Sequence, residues 1–124
     1  MLITNRIQIS TAAQGAKTKT YTAEGSSIRN KGYLGFKLTV NIKNTGSGTL
    51  TPSVNEYDDS GNITKTWATG ALAVSSGITI IEVYPALTTS GNAYNDILGA
   101  LFNATMTISA GGSVTFDAVL DLIP

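Results

Sequence analysis

Apolar and polar residues alternate through residues 33–43. Leu34, Phe36, Leu38, Val40 and Ile42 fall on one side, and Gly35, Lys37, Thr39, Asn41 and Lys43 on the other. A period of two sends successive side chains to opposite faces of a strand, and a helix cannot write it. This stretch is therefore predicted to be a strand with one buried face and one wet face. The end of the chain repeats the pattern: Val114, Phe116, Ala118, Leu120 and Leu122 oppose Thr115, Asp117 and Asp121. Phe102, Ala104, Met106 and Ile108 do the same just before it.

Turn chemistry divides the remainder. Asn44-Thr45-Gly46-Ser47-Gly48 is predicted to end the long strand, and Asp58-Asp59-Ser60-Gly61-Asn62 to separate strands at 53–57 and 62–67. Ser75-Ser76-Gly77 precedes a strand at 78–84, and Ala110-Gly111-Gly112-Ser113 joins the last two strands as a short hairpin. With further strands at 6–11 and 17–22, the count is about eight at 8–12-residue spacing, which predicts an antiparallel β-sandwich of jelly-roll type. Residues 94–102 are the one place for a turn of helix, with Asn95 or Asp96 as its cap. Residues 11–32 are polar and poorly patterned, so an arm or long loop is expected within 1–32. At 124 residues the whole chain, 1–124, reads as a single domain.

Composition agrees with this class. Charged residues make up 13%, about half of the ~25% usual for soluble domains, and 18 Thr, 11 Ser and 13 Gly take their place. Threonine suits the pleat, and Gly and Ser suit turns. No cysteine is present, so stability must come from packing or assembly. The first residues lack the pattern of a signal peptide, and no apolar run approaches the ~18 residues of a membrane span. No membrane partner is expected.

The net charge of zero hides an asymmetry. Residues 1–43 carry seven cations against Glu24, or +6, and residues 44–124 carry Lys65 against seven carboxylates, or −6. Two readings follow: the halves neutralise each other within the fold, or the basic segment lies on an acidic neighbouring subunit. Nucleic acid is not an expected partner, because only Tyr21 and Tyr33 interleave with the basic residues.

The chain has neither His nor Cys, which removes the usual general base, the softer metal ligands and both common catalytic triads. Asp117 and Asp121 share a strand face, but four residues of strand separate them by about 13 Å, too far for a glycosidase pair. The run Glu56–Asn62 resembles a calcium loop but lacks the distal Glu, and an Asp-rich turn accounts for it. No cofactor, metal or enzymatic activity is expected. Trp67 raises the question of sugar stacking, although a lone Trp in a small sandwich is more often core.

From Arg29 onward the order of elements resembles a family of small proteins of tailed-phage genomes, which serve as virion, minor capsid or decoration proteins. The residues that carry the likeness begin with Arg29-Asn30-Lys31-Gly32-Tyr33, leading into the long strand. A Pro-containing strand and Asp-Gly-type turn follow at 50–62. Then come Ile81-Glu82-Val83-Tyr84-Pro85-Ala86-Leu87-Thr88, similar to the family's "VYPGLT", and Asn95-Asp96-Ile97-Leu98, similar to its "NDVLP". Gly99 stands where the family tends to have Pro, and Leu101-Phe102-Asn103 replaces an Arg/Trp-rich stretch.

The resemblance implies a virion structural protein made in the host cytoplasm and placed on the capsid surface. Its partners would be the major capsid protein and further copies of itself, in a homo-oligomer, with a trimer favoured. A capsid decoration (head-stabilising) protein is the first expectation. A tail, connector or other minor virion protein is the alternative, and a carbohydrate- or cell-surface-binding sandwich module is a third. Arg6, Lys17, Lys19, Arg29 and Lys31 are the candidate contacts to the shell or to the next subunit.

Overall fold

The computed structural model describes residues 5–9, 14–15, 19–22 and 27–124. Its strands, in chain order, are β1 (Asn5–Ile9), β2 (Gln14–Gly15), β3 (Lys19–Thr22), β4 (Ile28–Arg29), β5 (Gly35–Ser47), β6 (Thr49–Tyr57), β7 (Ile63–Ala68), β8 (Leu72–Ala73), β9 (Ile78–Tyr84), β10 (Ala93–Asn95), β11 (Leu101–Ile108) and β12 (Ser113–Ile123). One sheet runs β1-β12-β5-β9-β10, with β2 also on β12. The other runs β3-β11-β6-β7, with β4 on β11 and β8 on β6. We call them sheets A and B.

The eight strands of four residues or more pair as a nest. The first (β1) pairs with the last (β12), the second (β3) with the seventh (β11), the third (β5) with the sixth (β9), and the fourth (β6) with the fifth (β7). All four pairings are antiparallel. A long hairpin folded this way and rolled into two sheets is a jelly roll. The expected all-β class is thus the observed one.

The alternating strands bury the side predicted for them. Phe36, Leu38, Val40 and Ile42 of β5 are buried, as are Val114, Phe116, Ala118, Leu120 and Leu122 of β12. From sheet B come Leu50, Val54, Phe102, Ala104, Met106 and Ile108. Burial of each large side chain contributes about 1.5–3 kcal/mol. Trp67 on β7 is only 4% exposed, and its ring meets Phe36 edge-on at 5.4 Å, tying the edge of sheet B to the centre of sheet A.

Four local expectations are corrected. Leu34 is 42% exposed, because β5 begins only at Gly35 and Leu34 precedes the paired register. The stretch 44–48 does not end the strand: β5 runs to Ser47, and two extra residues between Ile42 and Gly46 oppose the step from Val114 to Phe116. Gly46, at φ +88, lets the strand turn this corner toward sheet B. No helix forms at 94–102: Ala93–Asn95 is a strand parallel to β9, and β11 starts at Leu101. Within 11–32, Gln14–Gly15, Lys19–Thr22 and Ile28–Arg29 are strands, and the rest of the expected arm up to residue 26 lies outside the described residues. Among the described residues no helix is long and apolar enough to cross a membrane.

One turn sets the geometry of the sandwich end. The Asn30 backbone N–H donates to the Ala100 carbonyl at 2.8 Å. Its side-chain Nδ2 reaches the carbonyls of Tyr33 (2.8 Å), Gly99 (3.0 Å) and Leu98 (3.3 Å), and its Oδ1 accepts from the Tyr33 N–H at 2.8 Å. Gly32, at φ +103, supplies the left-handed step. Leu34 N–H then donates to Ile123 O and Leu98 N–H to Leu34 O, both at 2.9 Å. A single amide thus ties residues 30–33 to the crossing segment 98–100.

Two outcomes test this account. Asn30→Ala leaves several part-buried backbone groups without partners and is expected to destabilise by about 1–3 kcal/mol in urea unfolding. Gly35→Ala would place a Cβ 2.0 Å from the Val83 carbonyl oxygen, so β5 and β9 must move apart. A loss of at least ~2 kcal/mol is expected by the same measurement, and an unchanged midpoint would contradict the packing described.

Candidate interaction site

At this end of the sandwich, β1 of sheet A and β4 of sheet B border a cavity of about 370 Å³. Ile7, Ile28, Tyr33 and Leu122 give it apolar walls, and Arg6, Arg29 and Lys31 supply cations. The topology explains the convergence. Arg6 and Ile7 enter because β1 pairs with β12, and Ile28 and Arg29 because β4 pairs with the start of β11. Lys31 and Tyr33 are set by the Asn30-pinned turn. The volume lies in the range of binding clefts, and apolar walls with a few charged groups are their usual chemistry.

The three cations differ. Arg6 forms a two-pronged pair with Asp121, Nε to Oδ1 at 2.8 Å and Nη2 to Oδ2 at 3.2 Å. The hydrogen bond to that carboxylate raises the guanidinium's already high pKa further. Arg29 and Lys31 have no ion pair among the described residues.

Three of the five candidate contacts, Arg6, Arg29 and Lys31, therefore share one cavity. Lys17 lies outside the described residues. The backbone of Lys19 pairs with Ile108, whereas Arg29 pairs with Leu101 on the same strand. Seven residues of strand put these positions about 23 Å apart. The five basic residues are not one patch.

Beside the cavity, residues 96–99 cross the end of the sandwich. The Glu56 carboxylate accepts the Gly99 N–H at 2.8 Å, and a Cβ on Gly99 would stand 2.8 Å from Glu56 Oε1. A proline there would have no N–H to give, which accounts for glycine at this position. Lys65 Nζ reaches Asp96 Oδ2 at 2.9 Å and lies 5.4 Å from the centre of the Trp67 ring. The hydrogen bond to the Asp96 carboxylate raises the Lys65 pKa. For Asp96, partial burial pushes the pKa up, but the bonds from Lys65 and the Ile97 N–H outweigh it and leave it lowered. Leu98 plugs the core, while Ile97 is 54% exposed. Composition and spacing did not disclose this strap, because Asn95-Asp96 has the form of a helix cap.

The other chemistry considered in the sequence has plain structural uses. Asp58 Oδ1 accepts the Ser60 and Asn62 N–H groups, both at 2.9 Å, and Oδ2 accepts from Asn62 Nδ2 at 3.2 Å. These bonds, that of the Asn62 backbone first, lower its pKa. The would-be calcium loop is a turn closed by its own carboxylate. Asp117 pairs with Lys43 at 3.1 Å, and Asp121 with Arg6.

No family model matches the chain, and no curated protein does. Solved structures do match its fold. A chain from a structure of the infectious bursal disease virus Gx strain aligns with 100% of this chain at a TM-score of 0.52 and 14% identity. The enzymatically active domain of bacteriophage CBA120 tailspike protein 4 aligns with 97% at a TM-score of 0.51 and 12% identity. This chain spans 32% of the first and 19% of the second. At these identities the likeness is one of fold, a jelly roll found in proteins of two viruses.

Proposed function

We propose that this chain is a structural component of a bacteriophage particle, and within it a decoration protein on the outer surface of the shell formed by the major capsid protein. It acts in homo-oligomeric copies, a trimer favoured, and without a catalytic role. The observation that carries this reading is the nested eight-strand jelly roll, aligned along its whole length with a chain from a virus structure and nearly so with a phage tailspike domain. The character of the surface supports it. On sheet B, the half-exposed alternate positions of the central strands are Thr51 and Ser53 facing Thr107 and Thr105 in register, with no charge among them, while Asn55 and Asn103 at the end of the same row are buried. On sheet A, Arg6, Asp121, Lys37 and Glu82 stand opposite one another along one cross-strand row, so cations and carboxylates alternate. Such a rigid, nearly neutral sandwich gains stability when each copy buries more surface on a lattice.

A tail or connector component is the second reading, favoured by the tailspike neighbour. The carbohydrate-binding reading loses its main support, because Trp67 is packed against Phe36 rather than offered as a flat platform.

Quantitative mass spectrometry of purified particles of the encoding phage tests the proposal. A copy number comparable to that of the major capsid protein is the expected result. A handful of copies would move the protein to the tail or neck, and absence from particles would overturn the virion reading altogether.

A further inference from the structure

Among the described side chains, most charges carry an ion pair or a hydrogen bond. Arg6 holds Asp121, Lys43 holds Asp117, and Lys65 holds Asp96. Lys37 stands opposite Glu82, Glu56 takes the Gly99 N–H, and Asp58 closes its own turn. Lys37 and Glu82 face each other without an ion pair, and the charges with no opposite charge across from them are Arg29 and Lys31 at the cavity and Asp59 at the tip of the β6–β7 turn. Asp58 and Asp59 are neighbours with different duties: the first spends its oxygens on turn N–H groups, and the second is exposed with none. At the base of the same turn Ile63 is 58% exposed. The turn thus presents a carboxylate beside an apolar side chain, and the cavity presents two cations beside apolar walls.

We infer that the β6–β7 turn of one copy docks at the Arg29/Lys31 cavity of the next, with Asp59 between the two cations and Ile63 against the apolar wall. The turn does not line the cavity of its own chain. β4 and β7 lie in the same sheet with β11 and β6 between them, three strand spacings or about 14 Å apart. The two surfaces are different, so the contact is head-to-tail, and such a contact closes into a ring when its rotation permits. The backbone on both sides is held before they meet, the turn by Asp58 and residues 30–33 by the Asn30 network, so little main-chain freedom is lost on association.

The inference rests on the self-association in the proposed function, but it is tested on the isolated protein, so the two can fail separately. Sedimentation velocity on the wild-type chain should show concentration-dependent association that weakens at least tenfold between about 0.05 M and about 0.3 M salt. Asp59→Lys alone, and Arg29→Asp with Lys31→Asp, should each weaken association at least tenfold while circular dichroism and melting stay those of the wild type. Asp59→Asn, which removes the charge with almost no change of shape, gives the same direction if either reversal folds poorly. An equimolar mixture of the two reversed variants should regain the pairwise contact, read as a mixed dimer that neither forms alone, since each then supplies the sign the other lacks, while a ring of three cannot alternate the two. A wild-type chain that stays monomeric, variants that associate as it does, or a mixture that fails to recover would each overturn the contact. Association by this route in a protein missing from particles would keep the contact and remove only the particle reading.

Discussion

The structure depends on one closure: the pairing of the first strand with the last. β12 lies between β1 and β5, and all five of its inward side chains, from Val114 to Leu122, are buried. The ion pair between Arg6 and Asp121 joins positions 115 residues apart. Every other long-range pairing is nested inside this one. With no cysteine to hold the ends, closure must be driven by the apolar faces of β5 and β12 meeting those of β6 and β11. The entropy of closing so large a loop is lost before the core repays it, and folds built from such non-local pairings form slowly. Once formed, β12 has neighbours on both sides.

Nested pairing also explains the charge asymmetry of the sequence. A chain with its cations in the first third and its carboxylates in the rest would be an electrostatic oddity if the halves folded apart. Here topology places early strands beside late ones, so Arg6 meets Asp121, Lys43 meets Asp117, and Lys37 lies between Asp121 and Glu82. Exposed pairs of this kind add little to stability. Their effect is on register: a slip of one residue would carry every charge to the other face, and a slip of two would exchange the cross-strand partners. The sequence-level alternatives were mutual neutralisation or contact with a neighbour. Two described ion pairs, Arg6–Asp121 and Lys43–Asp117, realise the first, and Arg29 and Lys31 are left for the second.

The strongest strands were legible because one side of each is wet. Lys37, Thr39 and Asn41 mark the outer face of β5 as clearly as Phe36, Leu38 and Val40 mark its inner face, and the jelly roll followed from strand count and spacing. Short elements escaped detection. β8 and β10, of two and three residues, are too brief to show a period. Residues 94–102 were misread because a helix cap and a strap that gives its carboxylate to Lys65 use the same Asn and Asp side chains. The cavity was half legible. Arg6, Arg29 and Lys31 were visible as cations, but their meeting depends on β1 and β4 joining different sheets, which no local pattern encodes. The separation of Lys19 from them has the same origin, since register along β11 sends it toward the far end.

The proposed contact lies at the end of the sandwich rather than on its faces, and the side chains explain that choice. A face of Thr and Ser offers hydroxyls that water satisfies equally well, and on sheet A Arg6 already holds Asp121 while Lys37 stands opposite Glu82. Neither gives a partner much to gain. At the end, Leu34 and Ile97 are exposed and Arg29 and Lys31 lack carboxylates, so both apolar burial and charge pairing remain to be gained there. The segments that carry them are not loose: Asn30 ties the turn to the strap, Glu56 and Lys65 tie the strap to sheet B, and the Leu34 N–H ties the turn to β12 of sheet A. A surface that is unsatisfied yet rigid binds with little loss of freedom. That combination, more than its size, sets this end apart from the rest of the molecule.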